Sequence, residues 1–168
     1  MFRSNLVSLV LLLAFAIPAS AESEGRIVFL AGGRSHGPGE HEFRAGCLLL
    51  AKALNEQSGL EVKAEVISGW PKGDSVLDGA KAIVIYADGA SVVGKGWEKM
   101  DALAKEGVGI MFMHYAVHPS AKQGEKYYRP WIGGAFETGW SVTPHWVADL
   151  KALPDHAVSR GVDSLVEA

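Results

Sequence analysis

The chain has 168 residues, the length of a single domain. Its formal net charge of −3 argues against a nucleic-acid binder, whose surfaces are usually basic, and 48% hydrophobic residues suffice for a substantial core. Cys47 is its only cysteine, so an internal disulfide is excluded and stability must come from packing.

Residues 1–21 carry one early charge, Arg3, an apolar run from Leu6 to Ile17, and a small-x-small ending at Ala19, Ser20 and Ala21. These three regions predict a secretory signal peptide cleaved before Glu22, with an apolar core too short to span a bilayer comfortably. No cysteine follows the run, which argues against a lipoprotein anchor. The expectation is an exported protein, periplasmic or secreted, with no stable membrane anchor and one mature domain over 22–168.

Arg26 to Ala31 (RIVFLA) is a short apolar run ending in two glycines, as in a strand buried on both faces. From Glu40, the residues Phe43, Cys47, Leu50 and Leu54 recur at helical spacing and predict an inward face. Glu61 to Ser68 (EVKAEVIS) alternates apolar and polar residues and reads as an edge or half-covered strand. Lys81 to Ala87 (KAIVIYA) is a buried strand, and Gly96 to Glu106 is a helix with Trp97, Met100, Leu103 and Ala104 inward. Gly107 to Met113 is a fourth strand, ending at His114. Beyond it the chain is rich in glycine, proline and aromatics, with one more strand conceivable within 142–150. Strands alternating with helices predict a parallel α/β sheet with right-handed crossovers.

In such sheets ligands bind outside the carboxyl ends of the strands. His36 and His41 follow the first strand, Asp88 the third, and His114, Tyr115 and His118 the fourth. The turn from Gly32 to His41 is longer than a link requires and is expected to form a pocket wall, with Glu40 and His41 at the helix start. The first and fourth strands can be neighbours in such a sheet, which would bring His36 or His41 within one ligand's reach of His114. The bland reading, solvated histidines that merely cap a helix, holds well for any one of them and less well for the set.

Other chemistries fit poorly. Gly89 to Gly96 (GASVVGKG) nearly matches a phosphate-binding loop but lacks the Ser/Thr that binds magnesium. Gly32 to Ser35 lacks the third glycine of a dinucleotide fingerprint, and no G-x-S-x-G elbow exists. Cys47 lies on the apolar helix face and reads as packing rather than as a nucleophile. Residues 127–146 concentrate Tyr127, Tyr128, Trp131, Phe136, Trp140 and Trp146, with Arg129 and Glu137 among them. Such rings suit the C–H faces of sugars, and they equally suit a small core of their own.

The stretches GGRSHGPGEHEF, GVGIMFMHYAVH, YYRPWIGGAFETGWSVTPHW and LPDHAVSRG resemble the trehalose-utilisation (ThuA-like) family. The resemblance runs from about Arg26 to the end and is most specific at His114, at 131–136, and at Pro144 and His145. It implies a flavodoxin-like three-layer α/β sandwich related to class I glutamine amidotransferases, and a role in the breakdown of disaccharides or their keto derivatives. Those amidotransferases carry a cysteine nucleophile in the turn after the corresponding strand. Here that turn reads Met113, His114, Tyr115, so amidotransferase chemistry is not available. Family members usually continue past the region matching 155–168, so the resemblance also implies truncation at the C-terminus.

The expected site therefore has His114 as the central acid/base, with His36 and His41 beside it and His145 completing the cluster. Glu40, Asp88, Tyr115, Tyr128, Trp131 and His145 are the candidate substrate-binding residues. Histidine suits this work because it titrates near neutral pH, and its neutral nitrogen binds zinc-like metals. A divalent metal such as zinc is the cofactor this chemistry admits, with His36, His114 and His145 as candidate ligands. A small-molecule sugar is the expected partner; the rival readings are a non-catalytic sugar-binding module and a partner-docking domain.

Overall fold

The computed structural model describes residues 25–57, 59–145, 147, 149–150, 153–160 and 165–166. The segment expected to be a signal peptide, residues 1–21, and Trp146 lie outside the described residues. Among those described, no helix is long and apolar enough to cross a membrane.

Four strands form one sheet: β1 (Gly25–Ala31), β2 (Val62–Ser68), β3 (Ala80–Tyr86) and β4 (Gly109–Met113). All pairings are parallel, in the order β2-β1-β3-β4. Helix α1 (Phe43–Glu56) packs on one face and α2 (Trp97–Lys105) on the other, giving a flavodoxin-like α/β sandwich. Period-two alternation explains the apolar runs. Phe29, Ala31 and Val84 meet Cys47 and Ala51 of α1, while Val28, Leu30, Ile83 and Ile85 meet Met100 and Leu103 of α2. Each such fully buried aliphatic side chain contributes about 1.5–3 kcal/mol relative to exposure.

Three expectations need correction. First, β1 and β4 are not neighbours, because β3 lies between them. A buried strand's apolar run does not specify which strands flank it, and the central positions belong to the two strands with the most continuous runs. Second, α1 begins at Phe43 rather than Glu40, because the Glu40 and Glu42 carboxylates are engaged by the turn before it. Third, Ala51 joins Phe43, Cys47 and the partly buried Leu54 on the inward face of α1, whereas Leu50 is 37% exposed. The helix sits over β1 and β2, so among the described residues the side turned towards β3 and β4 is not covered.

β2 is an edge strand, as its alternation indicates. After β4 the chain makes a short 3-10 turn (His114–Val117), then α3 (Ala121–Gln123), a π-helical turn (Gly124–Tyr128) and α4 (Arg129–Ile132). Two-residue strands β5 (Asp149–Leu150) and β6 (Leu165–Val166) pair antiparallel. Among the described residues, the strand considered within 142–150 is present at Asp149 and Leu150.

Candidate functional site

The carboxyl edge of the sheet is held by two backbone contacts that fasten neighbouring loops together. The Gly32 N–H donates to Tyr86 O at 2.8 Å, and the Gly89 N–H donates to Tyr115 O at 3.2 Å. A Cβ at position 32 would lie 2.7 Å from the Ala87 Cβ, so only glycine permits the first contact. The loops leaving β1, β3 and β4 are thereby set side by side, with Asp88 on the central one.

The turn after β1 is stapled by its own acids. The Gly37 N–H donates to the Glu40 carboxylate at 2.6 Å, and the Gly39 N–H to Glu42 at 2.9 Å. Arg34 Nε donates to the His36 carbonyl at 3.2 Å. Glu40, expected to bind substrate, is therefore occupied in shaping the turn. What the turn delivers is a pair of imidazoles. The His36 and His41 rings have centroids 3.9 Å apart, and the Ser35 hydroxyl lies 2.8 Å from His36 Nδ1 and 3.3 Å from His41 Nδ1. Asp88 Oδ2 stands 3.8 Å from His36 Nδ1.

His114 completes the group from β4. Its ring is 4.6 Å from that of His41, centroid to centroid, and 4.9 Å from Tyr115, with Phe43 and Tyr86 beneath at 6.4 and 6.3 Å. The backbone at His114 has φ of 58°, making it the one non-glycine residue with positive φ among those described. That left-handed conformation is disfavoured for a residue with a Cβ, and such strain concentrates at functional sites. Partial desolvation holds the His114 imidazole below its ordinary pKa, repulsion from His41 and His36 adds to this, and Asp88 opposes it. The neutral ring, a proton acceptor, is favoured accordingly.

One ligand atom from each of His36, His41 and Asp88 falls within 4.8 Å of the others, a grouping suited to a metal ion. Of the expected metal candidates His36, His114 and His145, only His36 belongs to this grouping among the described residues. His145 is exposed, with no hydrogen bond or ring contact to the three clustered histidines among the described residues. The segment that carries it is fastened to the loop after β4, where the Phe136 N–H donates to Val117 O at 2.8 Å.

Tyr128 and Trp131 are also corrected. Tyr128 is fully buried, donates its hydroxyl to Ala116 O at 2.8 Å and stacks on Phe112 at 4.2 Å. Trp131 stacks on Trp97, donates its indole N–H to Asp101 at 3.2 Å, and borders a groove with Lys105, Gly107 and Gly109 near the amino end of β4. These rings form a small core between α2 and β4 instead of a sugar platform. Arg129 pairs with Glu125 at 2.9 Å and shares a groove with Phe136 and Glu137, apart from the histidines. His118 is bonded to Thr138 Oγ1 at 3.2 Å and packs on Phe136, anchoring the segment that follows.

Sequence reasoning missed Ser35, Phe43 and Tyr86 as parts of the site. Tyr86 was detectable, being the last residue of β3 and so at the carboxyl edge. No protein-family model matches this chain, and no curated protein or solved structure matches it either.

Proposed function

We propose that this protein is an exported sugar-processing enzyme of the trehalose-utilisation (ThuA-like) kind, acting on a disaccharide or its keto derivative over the His36, His41 and His114 cluster. The observation that carries the reading is His114 itself: a strained, positive-φ residue at the end of β4 whose ring faces His41 at 4.6 Å. Nothing in core packing requires a histidine there, since His114 is exposed. A base in such a position is what removal of a proton beside a ketosugar carbonyl needs. In this account His114 takes the proton, the His36, His41 and Asp88 group stabilises the developing oxyanion, and Tyr115 holds a hydroxyl at the rim. The ring system around Tyr128 keeps the β4 loop in place and does not touch the sugar.

The test is consumption of a panel of disaccharides and their 3-keto derivatives by wild-type protein and by His114→Ala, with binding followed separately by calorimetry. The reading expects turnover of a keto derivative that falls by about 10²–10⁴-fold in His114→Ala while binding persists. Binding without turnover in the wild type would instead favour a sugar-binding module.

A further inference from the structure

We infer that His36, His41 and Asp88 form a divalent metal site of the open, three-ligand kind, leaving His114 free to act beside the ion. It shares the edge of the sheet with the proposed sugar chemistry, but its test is read without substrate, so either can fail alone.

The donor set is what such a site uses. Two imidazoles and one carboxylate supply two nitrogens and an oxygen, the combination of catalytic zinc centres that keep a position open for water or substrate. One ligand atom of each lies within 4.8 Å of the others, and His36 Nδ1 to Asp88 Oδ2 is 3.8 Å. Ligands at about 2.0–2.1 Å from a common zinc stand roughly 3.4 Å apart in a tetrahedral arrangement, so modest side-chain rotation closes the set.

Three further features separate this group from a chance gathering of surface polar residues. The ligands come from two loops, after β1 and after β3, held together by the contact that only glycine permits at position 32. The Ser35 hydroxyl stands 2.8 Å from His36 Nδ1 and 3.3 Å from His41 Nδ1, so the two rings are held side by side as a pair. The neighbouring acids are already engaged, Glu40 by the Gly37 N–H and Glu42 by the Gly39 N–H. Asp88 takes no hydrogen bond among the described residues and faces the imidazole pair. An ion held there would polarise a substrate carbonyl.

The experiment titrates tag-free protein with Zn²⁺ by calorimetry, and with Co²⁺ by its visible absorbance, which reports coordination number. One ion per chain is expected. Asp88→Asn should weaken binding by at least about tenfold, since even loss of an outer partner costs 10–100-fold. The His36→Ala/His41→Ala double variant should abolish binding, whereas His114→Ala and His145→Ala should keep it. His36→Gln, on an exposed loop, serves as the decisive ligand variant should the double variant not fold, and it too must weaken binding at least tenfold. The inference is overturned if wild-type protein binds no stoichiometric metal, if these ligand variants bind as tightly as wild type, or if His114→Ala removes binding.

Discussion

His114 pays a conformational cost for its position. Left-handed backbone costs an L-residue with a Cβ roughly 1–2 kcal/mol, and at φ of 58° that cost is present here. Glycine adopts the same conformation without it, although its greater freedom in the unfolded chain returns about 0.5–1 kcal/mol. His114→Gly should therefore be as stable as wild type or more stable by up to about 1.5 kcal/mol in urea unfolding, while losing activity. A loss of more than about 2 kcal/mol would mean that the imidazole holds the fold together and is not held in place by it. Cys47 behaves in the opposite way. Burial pushes its thiol up to about 11 despite nearby Arg44, so at pH 8 roughly one part in a thousand is thiolate. Native protein should react slowly with a thiol reagent and unfolded protein quickly; equal rates would place Cys47 outside the core.

At the scale of elements, the four strands and two main helices were legible because each carries a clear period. β1 and β3 show the unbroken apolar run of a strand covered on both faces, and β2 the alternation of an edge. The site was partly legible for the same reason: strand ends locate loops, and those loops carried His36, His41, Asp88 and His114. What spacing could not give was strand order, and hence that Asp88 sits between the two histidine-bearing loops. Nor could composition show which way the rings of 127–131 face. They turn towards Trp97 on α2 and Phe112 on β4, because a short helical run with one apolar side buries that side on the nearest uncovered surface. Tyr128→Ala should accordingly lower stability by about 3–5 kcal/mol, in the manner of a large aromatic removed from a core. Trp140→Ala should change stability little, since Trp140 is 86% exposed. A Tyr128→Ala protein of undiminished stability would show that the ring cluster is not a core.

On the scale of the whole molecule, the described residues cover the two faces of the sheet unequally. The α2 side is closed by Met100, Leu103 and the ring cluster. On the α1 side an apolar groove runs along Phe29, Val84, Leu50, Leu54, Met111 and Met113, with Met111 55% exposed. Exposed apolar surface of this kind promotes association. Met111→Lys should raise the solubility limit measured by light scattering and alter stability by no more than about 0.5 kcal/mol. The histidine cluster is displaced from this groove, at the carboxyl edge, so the substitution should leave the chemistry alone. That chemistry is the central claim, and it is tested most directly by proton exchange at a substrate carbon. A 3-keto disaccharide is incubated with the protein in deuterium oxide, and deuterium entering beside the carbonyl is followed by NMR. Wild-type protein is predicted to accelerate that exchange well above the buffer rate, and His114→Ala to return it to the buffer rate with the fold intact. Exchange that proceeds equally fast in His114→Ala would contradict the account.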